Sequence, residues 1–320
     1  MVISHRHHRT AAGRDGPVPA PVVRASDGDA AGAAAELGIR LLGDFRVWVG
    51  ERAVSETGWR LRKARSVVKL LALAPGHRLH REQLVEALWP GLAWEPAINN
   101  LKIALHVARY ALEPMVGPRT GPTPPPRLLR LQGEVLSLAP DDAVWVDVEA
   151  FEAAAAEARR GGQVAAYEAA AALYTGDLLP EDRYEDWASG PREALRETYA
   201  ALLLDLARLQ EAAGAADAAI ETLRRVVAVD AACEAARCAL MRLHARAGRR
   251  AEALRQYEHL RDALRRELDA EPDPATQRLY QEIWSGASAS IAPTPAAPPS
   301  NGHEPPGAGG PRAAEPPAAA

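Results

Sequence analysis

Apolar and polar positions change period several times along the chain, and each change marks an element. In residues 38–54, GIRLLGDFRVWVGERAV, β-branched and aromatic side chains alternate with Arg around Gly43 and Gly50, which predicts a small antiparallel sheet. Three helical stretches follow. KARSVVKLLALA predicts a helix over about 62–74, stopped at Pro75-Gly76. REQLVEALW predicts one over about 80–89, stopped at Pro90-Gly91. PAINNLKIALHVARYAL predicts one over about 96–112, with Pro96 suited to a first turn. Beyond a Pro/Gly-rich loop, 114–126, RLLRLQGEVLSL predicts a hairpin turning at Gln132-Gly133-Glu134. Sheet, three helices and hairpin, in that order, describe a winged helix with its wing.

After Asp141-Asp142 the period becomes helical and stays so to about residue 284, punctuated at Gly161-Gly162, Gly190-Pro191, Gly214, Gly248 and Pro272. An internal repeat lies within it. Residues 206–223 align with 240–257 at an offset of 34, matching Leu206 to Leu240, Arg208 to Arg242, Leu209 to Leu243, Gly214 to Gly248 and Ala219 to Ala253. That is the period of tetratricopeptide (TPR) helix pairs, with Gly between paired helices and Ala where they approach closely. The expected fold class is mainly α: a winged helix-turn-helix domain with a small sheet and wing hairpin, then an all-α, TPR-like helical-repeat domain. The domains are expected at 37–140 and 141–285. Residues 1–36 and 286–320, rich in Ala, Gly and Pro, are expected to be disordered tails. His5, His7 and His8 in the first tail are close enough in sequence to bind a metal, but a solvated segment is the preferred reading, and no metal or cofactor is expected.

Charge separates the two halves. Residues 37–140 hold 15 Lys and Arg against 8 Asp and Glu, net +7, whereas residues 141–286 hold 18 against 28, net −10. A basic half suits phosphates; an acidic one suits other partners. Cys233 and Cys238 are five apart, which is neither a zinc nor a redox spacing. Without a long apolar run or a signal-peptide pattern, a cytoplasmic setting with no membrane partner is expected.

In a winged helix the third helix enters the major groove while the wing touches the backbone or minor groove. On the 96–112 stretch, Ile98, Leu101, Leu105, Ala108 and Leu112 share a core stripe. The opposite side carries Asn99, Asn100, Ile103, His106, Val107 and Tyr110, flanked by Lys102 and Arg109. Asn pairs two-fold with adenine, Arg with guanine, and apolar groups meet thymine methyls, so Asn99, Asn100, Lys102, His106 and Arg109 are candidate base readers. The same pattern also serves an ordinary surface helix, and outward Ile103, Val107 and Tyr110 also suit a protein interface. Arg60, Arg62, Lys63, Arg65 and Lys69 crowd the start of the first helix; Arg127 and Arg130 lie on the wing and Arg119 in the loop before it. These are candidate phosphate contacts.

Residues 39–54, with HRLHREQLVEALWP (77–90) and NNLKIALHVARYALEP (99–114), resemble the OmpR-like winged helix of SARP-type regulators. WVDVEAFEAAAAEARR (145–160), and GRRAEALRQYEHLRDALRRELDAEPDP (248–274) running on to Ile283, resemble the TPR-like bacterial transcriptional activator domain of the same family. The resemblance implies binding to double-stranded promoter DNA, often at direct repeats by side-by-side protomers, with contact to RNA polymerase. It implies that the polymerase is met by the loop between the second and third helices, here PGLAWEP (90–96), with Trp94 and Glu95, although a Trp at that point is more often a packing residue. The helical domain would meet a protein partner or a second copy. Where the family's third helix usually has Ser and Arg, this chain has His106 and Val107, while Arg109 is kept. No Walker-type phosphate loop follows the helical region and no receiver domain precedes the winged helix, so control without a phosphorelay is expected.

An enzyme is not expected. No G-x-S-x-G, H-E-x-x-H or zinc-type Cys/His set occurs, and the acidic string PEDRYEDW (180–187) reads as a loop or helix start. The rival is an adaptor whose TPR-like domain binds proteins while the winged helix has lost DNA.

Overall fold

The computed structural model describes residues 36–113, 127–141 and 143–286. The two expected tails with His5, His7 and His8, and the 114–126 loop with Arg119, lie outside the described residues, Glu36 and Gly286 apart. The elements run β1 (Leu37–Arg40), β2 (Arg46–Val49), β3 (Arg52–Ala53), α1 (Arg62–Leu73), β4 (Arg78–His80), α2 (Arg81–Leu88) and α3 (Trp94–Leu112). They continue with β5 (Leu129–Gln132), β6 (Val135–Leu138), β7 (Val144–Val146), α4 (Asp147–Gly161) and α5 (Val164–Leu173). The last are α6 (Asp186–Ala212), α7 (Ala216–Val229), α8 (Glu234–Arg246), α9 (Arg250–Leu268) and α10 (Pro274–Ser285). The chain forms two units that divide within α6, between Leu202 and Leu203.

In the first unit, β1, β2 and β3 make the antiparallel sheet that the alternation predicts, but β7 adds a fourth strand parallel to β1. Helical structure was expected from residue 141 onward; residues 144–146 are instead strand. Val144-Trp145-Val146 is a β-branched and aromatic triplet, and β1 presents it with an unpaired edge. Gly38 is the register partner of both Trp48 on β2 and Trp145 on β7, whose ring centroids lie 5.5 Å apart. A Cβ on Gly38 would fall 2.0 Å from the Trp48 ring, so only glycine fits beneath it. The wing sheet also has a strand the alternation did not reveal: β4 pairs with β6, in the order β4-β6-β5. At three residues β4 is too short to show a period.

The winged-helix core is the apolar stripe of each helix: Val67, Val68 and Leu71 from α1, Leu84 and Leu88 from α2, Leu101, Leu105 and Leu112 from α3, closed by Leu129 and Leu136 of the wing. Each buried Leu contributes about 1.5–3 kcal/mol. α2 starts with a capping box in which the His80 side chain accepts the Glu82 N–H and the Gln83 side chain accepts the His80 N–H.

The same unit takes in the start of the helical region. Asp147, at the head of α4 and 3% exposed, accepts the backbone N–H groups of Leu41 and Leu42 at 2.9 Å. Segment 174–185 runs along the strand end. Gly43 N–H donates to Asp177 O and Leu179 N–H to Leu41 O, both at 2.9 Å, and the Thr175 hydroxyl donates to Leu42 O at 2.7 Å. A Cβ on Gly176 would lie 2.9 Å from the Gly43 Cα, so the two backbones touch. The buried Arg192 guanidinium donates to the carbonyls of Leu178, Leu179 and Asp182, which pins this segment to the head of α6. Gly190-Pro191 was expected to end a helix, yet α6 runs through it. Proline removes one early helical hydrogen bond, and the following turns keep theirs.

The second unit holds the 34-residue repeat. Gly214 and Gly248 both take positive φ, 77° and 74°, between α6 and α7 and between α8 and α9. Beside them, Ala215 N–H donates to Gln210 O and Arg249 N–H to His244 O, each at 2.8 Å. These are the same helix-ending bond, 34 residues apart, and glycine supplies the left-handed turn each needs. Ala219 and Ala253, at matching positions of the repeat, are both 0% exposed. Among the described residues no helix is long and apolar enough to cross a membrane.

Candidate nucleic-acid interface

α3 begins at Trp94 rather than 96, because Pro96 in a first turn needs no N–H and Glu95 there favours the helix dipole. Its inner side, Ala97, Leu101, Ala104, Leu105, Ala108, Ala111 and Leu112, is buried against the domain. Asn99, Lys102, Ile103, His106 and Tyr110 are all exposed. At about 100° per residue they fall within roughly 100° of arc, with Lys102 at one edge and Ile103 at the other. Ile103 is 56% and Tyr110 51% exposed. The geometry thus brings three of the expected readers, Asn99, Lys102 and His106, onto one stripe.

Asn100 and Arg109 stand apart from it, both half-buried. Arg109 Nε donates to Leu129 O at 3.0 Å, tying α3 to the first wing strand. Burial lowers its pKa, with Glu113 acting in the opposite direction. Arg127 on the wing pairs with Glu36, and its backbone N–H donates to the Glu113 carboxylate at 3.0 Å. Arg130 pairs with Asp141 at 2.6 Å. At the wing tip Glu134 holds Arg81, and His80 at 3.1 Å.

The cations of α1 turn to the acidic string. Arg62 lies 3.1 Å from Glu185 and 3.5 Å from Asp182, Lys63 3.3 Å from Glu185, and Arg65 3.9 Å from Glu181. Lys69, 2% exposed, sits between Glu181 and Asp182 and over the Phe45 ring at 4.6 Å. Arg60 is exposed. Reading the chain as two charge halves did not reveal these partners. One signal was there: Lys69 falls among Val67, Val68 and Leu71, and a lysine in a core stretch requires a buried anion.

Leu92, between α2 and α3, and Trp94, the first residue of α3, are each 43% exposed, and Glu95 is exposed beside them. The Arg81 guanidinium lies 5.5 Å over the Trp94 ring. Trp94 therefore stands on the surface, braced by a cation, rather than filling the core.

Residues 146–284 match the family described as the bacterial transcriptional activator domain. Comparison with curated protein sequences gives no match. Among solved structures the chain is similar to Mycobacterium tuberculosis EmbR, determined in complex with a low-affinity phosphopeptide, at 20% identity and a TM-score of 0.62. The likeness covers 79% of this chain and 66% of the EmbR chain, just under two thirds of that protein's length. At that identity what is shared is the fold: a winged helix followed by an all-helical domain.

Proposed function

From a helical region matching the bacterial transcriptional activator domain, on a fold shared with EmbR, we propose a SARP-type transcriptional activator that binds promoter DNA through its winged helix. The domain match and the shared fold support a transcription regulator rather than an enzyme class. DNA binding is carried by one observation: α3 is packed along its inner side while Asn99, Lys102, Ile103, His106 and Tyr110 form a single outward stripe. In this reading α3 lies in the major groove, the β5–β6 hairpin follows the neighbouring backbone, and Lys102 and Arg60 meet phosphates. The exposed Leu92, Trp94 and Glu95 contact RNA polymerase, and the repeat helices hold a protein partner or a second copy.

Fluorescence anisotropy with the full chain and duplexes from upstream of its own operon tests this. Sequence-specific retention that weakens steeply between about 50 and 200 mM salt is expected. Equal, weak binding to every duplex at moderate salt would sink the activator. The adaptor reading would then stand, favoured by the commitment of Arg62, Lys63, Arg65 and Lys69 to Glu181, Asp182 and Glu185.

A further inference from the structure

We propose that the duplex segment beneath α3 is built of A·T pairs, with Asn99 reading an adenine edge and Ile103 packing on thymine 5-methyl groups; this rests on the DNA-binding reading above. In the major groove a guanine shows two acceptors that suit a guanidinium, an adenine shows one acceptor and one donor that suit a carboxamide, and thymine carries the methyl group. Among the described residues, four guanidinium groups of α2, α3 and the wing already have partners. Arg109 is turned to Leu129 O, Arg130 to Asp141, Arg127 to Glu36, and Arg81 to Glu134 and the Trp94 ring. Between Lys102 at one edge and Ile103 at the other, the stripe offers a carboxamide and a branched apolar group one helical turn apart.

α3 leaves Ile103 56% exposed, along with Tyr110 at 51% and Trp94 at 43%, so much of the Ile103 apolar surface has no covering inside the described residues. A thymine methyl is the apolar group that a groove-bound helix meets there. Four residues advance about 6 Å along a helix. Base pairs repeat at about 3.4 Å along each strand. Asn99 and Ile103 therefore address pairs one to two steps apart. Lys102, at the edge of the stripe, is a point charge suited to the flanking phosphate.

The experiment is selection of duplexes from a random pool with the full chain, followed by anisotropy on the selected site with thymines replaced by uracil, which removes only the 5-methyl group. The expected site has A·T pairs at its centre, and each contacted thymine changed to uracil weakens binding about three- to fourfold, the worth of one buried carbon. Ile103→Ala, an exposed position where the fold is not at stake, should bind the thymine and uracil sites alike. A selected site with G·C pairs at its centre, or wild-type binding indifferent to uracil, overturns this inference and leaves DNA binding standing. A pool from which nothing is enriched overturns both.

Discussion

Lys69 of α1 and Asp182, ahead of α6, meet at 2.5 Å with both side chains almost wholly withdrawn from solvent, 2% and 3% exposed. A pair like this contributes little net stability when intact but is costly to break, because the survivor is a buried charge. Lys69→Met should cost about 3–5 kcal/mol. Lys69→Met with Asp182→Asn should recover most of that loss. Urea unfolding of the three proteins checks it. A single mutant as stable as wild type would mean that Arg62, 3.5 Å from Asp182, suffices as a counter-ion.

If the winged helix binds DNA as proposed, salt separates cations that meet phosphates from cations spent inside the molecule. Lys102→Ala should flatten the plot of log affinity against log salt by about one, the share of one phosphate contact. Lys63→Ala should leave the slope unchanged, because Lys63 is held 3.3 Å from Glu185. Anisotropy at four or more salt concentrations makes the comparison; equal slopes for the two variants would contradict it.

Trp94 stands outside the core, so its removal should spare fold and DNA. Trp94→Ala is expected to leave the unfolding free energy within about 1 kcal/mol of wild type, the worth of an exposed cation–π contact with Arg81. Promoter affinity should hold while transcription in a reconstituted system drops about 30-fold, the scale of one interface hot spot. Full activation by this variant would remove Trp94 from the proposed polymerase contact.

In the second unit His244 is 2% exposed on α8, with its Nδ1 3.0 Å from Glu252. Burial holds its pKa below the ordinary 6.5, helped by the neighbouring Arg249 cation; Glu252 pulls the other way and is outweighed. A histidine neutral when folded and free to protonate when unfolded makes the unfolded chain bind more protons as pH falls. The stability present above about pH 6.5 should therefore decline below it. Urea unfolding between pH 7.5 and 5.5 should show the decline for wild type and a shallower one for His244→Gln. Parallel curves would contradict it.

Long periodic stretches were legible because their signal is local. The core stripe of α3, the two glycine-ended helix pairs and the wing turn at Gly133 each follow from residues a few positions apart. Short strands and long-range partners were not. β4 and β7 have three residues each, fewer than a period needs, and are strands because β6 and β1 offer them edges. Arg109 looked like a base reader because it sits beside Lys102 on the helical wheel; whether a guanidinium points outward or to Leu129 O is decided by a strand 20 residues on. The α1 cations were legible as charge, but their anions lie more than 110 positions away.

β7 has a practical consequence for dissecting the chain. A fragment ending after the wing, at Pro140, would carry every helix of the winged helix yet leave β1 bare along one edge, with Leu37 and Ile39 losing Val144 and Val146 as register partners. It would also lack Asp147, which caps the N–H groups of Leu41 and Leu42. Such a fragment invites edge-to-edge aggregation. The ribosome must deliver residue 147 before the first-made strand is sheltered, so grafting this winged helix onto another protein requires carrying the head of α4 with it.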